Sequence, residues 1–320
     1  MMLKDGFFIQ NEITSDNILR LSEEHSLYCE RMICEISDIA REAALAVNEL
    51  FYDDGMTIYE IFEILAQGVL LSESSLHNGV LPENENRIAS YFSSLSVHDK
   101  AVFSEMLCEE VKKYGINITE GDFLQDGKGN ESVVYVKNRL AEEAYDVFSQ
   151  ELTSPTVSYV HSFKEAARAV AEENAEYCIL PLEERGGARL SGISAILFAE
   201  DLKINSVTPV FGLDGSADMK YALVSKHFTL AQIDSGDDRY LEVQLRADSV
   251  LPLSAIFTAS DSLGVSVYRV NTVTFETEEG PLPYYSVVFK NTERDFSSLL
   301  VFLTMFAGAY NPVGIYKNLE

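Results

Sequence analysis

Apolar residues recur at two different spacings along this 320-residue chain, and the change of spacing divides it. Up to residue 122 the recurrence is helical. In RMICEISDIAREAALAVNELFY, the residues Met32, Ile36, Ile39, Ala43, Leu45 and Val47 make one stripe. TIYEIFEILAQGVLL and HDKAVFSEMLCEEVKKYG repeat the pattern, and Gly115 stands where a helix C-terminus favours a left-handed residue. The turn-rich run LQDGKGNES (124–132) follows and marks a first boundary.

From 132 to 228 short buried runs alternate with amphipathic ones. SVVYV, TVSYV and EYCILPLE read as strands; NRLAEEAYDVFSQEL and SFKEAARAVAEENA read as helices, the second capped by Ser162. SGISAILFAEDL is a further helix, and INSVTPVF and MKYALVSK are further strands. This order predicts an α/β lobe with a mostly parallel sheet and helices on its faces. From 239 to 320 the order is strand–helix–strand–strand–helix–strand: RYLEVQLRA, PLSAIFTASDSLG, VSVYRVNTVTFE, PYYSVVFK, DFSSLLVFLTMFAG and NPVGIYKN. That is the split βαβ order of a ferredoxin-like βαββαβ sandwich. Gly264 ends its first helix, and EEGPLP joins its middle strands. The fold class expected is therefore α+β and multidomain: an all-α domain (1–122), an α/β lobe (132–228) and a ferredoxin-like domain (239–320).

Composition narrows the partners. An apolar content of 47% marks a globular chain, and no apolar run is long enough to cross a bilayer. A net charge of −27 argues against nucleic acid and anionic membrane surfaces as partners. MMLKDGFFIQNE lacks the apolar stretch of a signal peptide, so a cytoplasmic location is expected. Cys29, Cys34, Cys108 and Cys178 show no CxxC spacing and lie in apolar contexts, which predicts buried free thiols. The five histidines are scattered, and neither a metal nor a cofactor is expected.

The chemistry concentrates in ILPLEERGGARLSG (179–192), a strand that breaks into a glycine loop ahead of a helix. Such loops hold anions on free backbone N–H groups. Lys137, Asn138 and Arg139 end the first strand, Arg185, Gly186, Gly187 and Arg189 lie in the loop, and Lys220 opens a later strand. If the first and third strands are neighbours, these residues converge on an anion. The plainer alternative pairs Arg185 and Arg189 with Glu183 and Glu184 on a solvated rim, worth ~0–1 kcal/mol.

The stretch EYCILPLEERGGARLSGISAILFAEDLKI resembles the segment of prephenate dehydratases in which an apolar strand ends in Pro-Ile-Glu-Asn-Ser. There a helix and a strand opening Asp-Leu-Lys-Ile follow. Pro181, Leu182 and Glu183 match, and the distance from Glu183 to Asp201 fits without a gap. The tail 239–320 is similar to an ACT domain, the ligand-sensing module that follows the dehydratase domain in that family. Over 132–320 the resemblance implies a dehydratase-like lobe plus an ACT-like domain, a link to phenylalanine biosynthesis, and a small carboxylate or aromatic amino acid as ligand. It also implies a homodimer through the ACT-like domain.

The motifs depart from the family. Its Gly-Pro-x-Gly loop is replaced by Lys137-Asn138-Arg139-Leu140, and its Asn-Ser by Glu184-Arg185. Its catalytic Thr-Arg-Phe corresponds to Met219-Lys220-Tyr221, so the threonine position holds Met219, which donates no proton. No catalytic residue is assigned. The family's ACT ligand motifs fall near Leu251, Asn271 and Thr272. Residues 132–228 are long enough for one lobe of a domain that needs two. The leading expectation is a non-catalytic relative of prephenate dehydratase, ligand-responsive or scaffolding. A divergent dehydratase, a lyase, is the alternative, and a module binding a partner through the acidic helical domain is the third.

Overall fold

The computed structural model describes residues 15–66, 92, 95–124, 131–212, 217–230, 238–249, 251–277, 280–291 and 295–319. Helix α1 (Ser15–Tyr52) buries Ile36, Ala40, Ala44 and Val47, a row at spacings of four, four and three. Leu45 sits one residue off that row and is exposed, against expectation. Thr57 and Glu60 then open a helical stretch, 58–66, with a reciprocal capping box. The end of TIYEIFEILAQGVLL, past Ala66, lies outside the described residues, as does the turn at 278–279. Helix α2 (Val97–Lys112) starts at Ser96, whose hydroxyl accepts from the Asp99 N–H. Gly115 follows it at φ 82°.

The remaining elements run β1 (Ser132–Val136), α3 (Arg139–Phe148), β2 (Thr156–Val160), α4 (Phe163–Ala171), β3 (Tyr177–Glu184), α5 (Ser191–Ala199), β4 (Lys203–Phe211) and β5 (Ala217–Ser225). Then come β6 (Arg239–Arg246), α6 (Leu253–Ser262), β7 (Ser266–Thr277), β8 (Gly280–Asn291), α7 (Ser297–Phe302) and β9 (Tyr310–Asn318). The nine strands among the described residues form one sheet, in the order β2-β1-β3-β5-β4-β9-β6-β8-β7. The first and third strands are indeed neighbours and parallel.

The lobe is less parallel than its element order suggested. β1 pairs parallel with β2 and β3, whereas β5 pairs antiparallel with both β3 and β4. β4 ends at Phe211 and β5 begins at Ala217, and the two pair antiparallel, with β5 slotted between β3 and β4. In the last segment β6 lies between β9 and β8, and β7 is the outer strand.

Two sequence segments that read as separate share a core. Phe103 and Leu107 of α2 pack in one apolar cluster with Leu299, Phe302 and Phe306, from α7 and the turn after it. One face of the β6–β9 sheet is thus covered by α6, α7 and, through them, by α1 and α2. The Glu120 carboxylate ties the two together, pairing with Arg239 of β6 and accepting from the Phe296 N–H. The other face meets the lobe: Phe198 of α5 stacks on Phe275 at 4.0 Å and 3°. Lobe and tail are also joined through the sheet by the parallel β4–β9 seam. Gly314 permits that seam, because a Cβ there would lie 2.9 Å from the Ile204 Cβ.

The thiols divide. Cys178 is buried and Cys108 half-buried, and burial pushes the Cys108 thiol up to about 12. Cys29 and Cys34 are exposed, contrary to expectation, because residues 26–35 of α1 project beyond the core. Among the described residues no helix is long and apolar enough to cross a membrane.

Candidate functional site

The glycine loop folds back on its own strand. Gly186 and Gly187 take φ of 94° and 82°, a left-handed pair that glycine adopts without a Cβ penalty. The Glu184 N–H donates to Ala188 O, and Arg189 bridges back to Glu183. This tight return turns Arg189 inward. Its Nη2 donates to both Glu242 oxygens, at 2.9 and 3.0 Å, and both side chains are nearly solvent-free. The Ser286 hydroxyl donates to the same carboxylate at 2.8 Å. Glu242 therefore ends on three hydrogen bonds, as a buried carboxylate requires.

Glu183, at the end of β3, is 5% exposed. Its Oε1 accepts from Arg269 of β7. The strand register slips by one between Val267 and Arg269, and this bulge is what aims Arg269 at the lobe. Lys220 of β5 approaches the other oxygen, Oε2, at 3.8 Å, an ion-pair distance too long for a hydrogen bond. Between them is a cavity of about 10 Å³, lined by Glu183, Lys220, Arg269, Tyr240 and Tyr316 among others. That is room for about one water molecule. The Tyr316 phenol beside it is held well above its ordinary range, first by burial and then by the negative charge of Glu242.

The five predicted cations do not share one anion. Lys137 pairs with Glu142 at 3.7 Å and lies 4.7 Å over the Tyr159 ring. Arg139 pairs with Glu143 on its own helix, Arg185 is exposed and 3.9 Å from Asp218, and Lys220 and Arg189 face Glu183 and Glu242. In so acidic a chain each cation finds a carboxylate nearby. Neither does the solvated pairing of the loop with itself describe the site, since Arg189 is buried against a partner 53 residues away. Asn138 caps α3: its Oδ1 accepts from the Ala141 N–H and its Nδ2 donates to Val136 O.

Met219 lies on β5, its sulfur 3.9 Å from the Tyr221 hydroxyl. A thioether and an ion-paired carboxylate supply neither a proton donor nor a free base at the end of β3. Asn271 and Thr272 pair in register with Ser286 and Tyr285, so they point to opposite faces of β7. Leu251 packs against the core shared with the helices. Sequence reasoning passed over Glu242, Arg269, Ser286 and Tyr316. The available signal was a charged residue inside each of two strand-like runs, YLEVQL and SVYRVN.

No protein-family model matches the sequence, and no curated protein sequence matches it significantly. Among solved structures the chain is similar to prephenate dehydratase from Streptococcus mutans at 11% identity and a TM-score of 0.47, covering 60% of this chain and 100% of that one. A structure described as GqqA, a novel type of quorum quenching acylase, shares 17% identity at a TM-score of 0.44, over 59% and 96% of the two chains. Prephenate dehydratase from Arthrobacter aurescens in complex with L-Phe shares 12% at 0.40, over 58% and 90%.

Proposed function

We propose that this chain is a non-catalytic relative of prephenate dehydratase, a ligand-responsive or scaffolding protein linked to aromatic amino acid metabolism. One observation carries the reading: the glutamate that aligns with the family motif is buried, engaged by Arg269 and Lys220, and left with about 10 Å³ of space. Eliminating carbon dioxide and a hydroxyl from a dicarboxylate needs cations for the carboxylates and an acid for the leaving oxygen. Here the cations are spent on the chain's own carboxylates, and Met219 stands where the acid would. The last segment supports an ACT-like role in its strand order, and its outer strand β7, with one edge unpaired among the described residues, offers a surface through which a homodimer forms. A scaffolding role gains support from α1, whose projecting half exposes Leu27, Tyr28 and Ile33.

The test is a prephenate turnover assay on the full chain, with light scattering on the same sample. No phenylpyruvate above background and a dimeric mass are expected. Turnover of ~1 s⁻¹ or more, an ordinary enzymatic rate, overturns the non-catalytic reading; a monomer at micromolar concentration overturns the dimer.

A further inference from the structure

A cleft of about 1030 Å³ opens where the helical segment, the lobe and the tail meet, far larger than the space beside Glu183. It lies at the upper end of the size range of small-molecule sites. Phe123, Phe228 and Pro312 are among its apolar lining residues, and Tyr59 and Tyr310 add two phenols.

Its charges are not balanced. Lys203 and Lys226 both face the cleft, but each is already paired: Lys203 with Asp201 at 2.6 Å, and Lys226 with Glu173 at 2.5 Å. Three other carboxylates line the cleft with neutral partners. Glu60 accepts from the Thr57 N–H and hydroxyl at 2.9 and 2.8 Å, and Asp122 accepts from the Thr119 N–H and hydroxyl at 2.6 and 2.9 Å. Glu63 lies beside the Tyr59 phenol. These neutral neighbours do not cancel the charge of the carboxylates. Burial and then Glu63 push the Tyr59 phenol up to about 12. His227 faces the cleft as well and adds an imidazole able to hydrogen-bond.

Apolar and aromatic lining residues, together with three carboxylates that have no cation partner among the described residues, select against a carboxylate ligand and for an organic cation. We infer that the cleft is a binding site for a small amphipathic amine, its ammonium held by Glu60, Glu63 and Asp122 and its aromatic or aliphatic body lying over Phe123 and Phe228. This site is independent of the dehydratase-like residues and makes a demand opposite to that of a dicarboxylate substrate.

Calorimetric titration of the full chain with phenethylamine, 3-phenylpropionate and L-phenylalanine tests it, because the three share one body and differ in charge. Phenethylamine should bind saturably and more weakly as salt is raised, and 3-phenylpropionate should not bind. Glu63→Gln, at an exposed position, should weaken phenethylamine by about fivefold, the worth of one unit charge at about 4 Å in water. Asp122→Asn should act in the same direction, while Glu142→Gln on α3 should change nothing. No saturation up to about 10 mM, weaker than most specific affinities, overturns the inference. So do equal binding of the carboxylate and insensitivity to both charge-removing variants. L-Phenylalanine binding more tightly than phenethylamine also overturns it, yet leaves the ligand-responsive reading standing; the prephenate assay tests the non-catalytic reading separately.

Discussion

Replacing Arg269 with alanine leaves the Glu183 carboxylate in the seam with Lys220, 3.8 Å away, as its remaining cation. The Glu183 side chain is 7% exposed, so water cannot take over what the guanidinium supplied. Removing one partner of a buried pair typically destabilises by ~3–5 kcal/mol, because the other charge stays buried. Lys220 retains part of the attraction, and Arg269 is itself 22% exposed, which places the expected loss at the low end, ~3 kcal/mol. Arg139→Ala is the matched control: its pair with Glu143 is 58% and 42% exposed and should be worth ~0–1 kcal/mol. Urea denaturation at pH 7 of both variants and the parent gives the comparison. The double replacement Arg269→Met with Glu183→Met should recover most of the loss, since apolar groups of similar size often replace a buried pair at little cost. If Arg269→Ala costs no more than Arg139→Ala, or if the double variant is as unstable as the single one, the buried latch is not what holds lobe and tail together.

Gly314→Ala should destabilise by ~1–3 kcal/mol, because the new methyl would meet Ile204 across the β4–β9 seam and Tyr316 on its own strand, both at 2.9 Å; a change under ~0.5 kcal/mol in urea titration would mean the seam yields easily. Glu120 has a carboxyl raised above its ordinary value, first by burial and in spite of Arg239. Its share of stability is thus fully present below the ordinary carboxylate pKa and falls as pH rises through the raised value. The stability difference between the parent and Glu120→Gln should accordingly move against the parent as pH rises through that window, and a difference that is flat with pH would refute the assignment.

Most of the local structure was legible in the sequence because its causes are local. Val133–Tyr135 form a buried strand between turn-rich flanks, and Ser162 caps α4 by accepting from Glu165 N–H three residues on. Gly264 takes φ 70° where the α6 helix must stop. These features depend on neighbours within a few positions, and periodicity and capping chemistry reach that far. The place of β5 between β3 and β4 does not, since a hairpin return and a crossover are both compatible with the order of apolar runs. Asn138 shows a second limit. The same short amide that suits a ligand also suits a helix cap, and only the positions of Val136 O and Ala141 N–H decide between them.

The site was hidden for a stronger reason. Arg189 finds its partner 53 residues away and Glu183 finds its partner 86 residues away, beyond any local pattern. Yet buried charge obeys a rule that sequence can use, because a carboxylate in a strand with no exposed face must meet a cation or pay heavily in desolvation. In YLEVQL, Glu242 shares a strand face with Tyr240 and Gln244, opposite Leu241, Val243 and Leu245, a pattern that also fits a solvated face, whereas Glu183 follows the apolar run ILPL. Glu183 therefore called for a cation before any fold was known, and Glu242 did so only once the strand was seen to be covered on both faces. Arg269 breaks SVYRVN in the same way, and Arg189 follows a glycine pair that lets the chain turn back. Matching two carboxylates to two arginines leaves two arrangements, and the bulge beside Tyr268 selects one of them by turning Arg269 toward β3. The charge pattern thus contained the members of the latch, and the strand register decided how they paired.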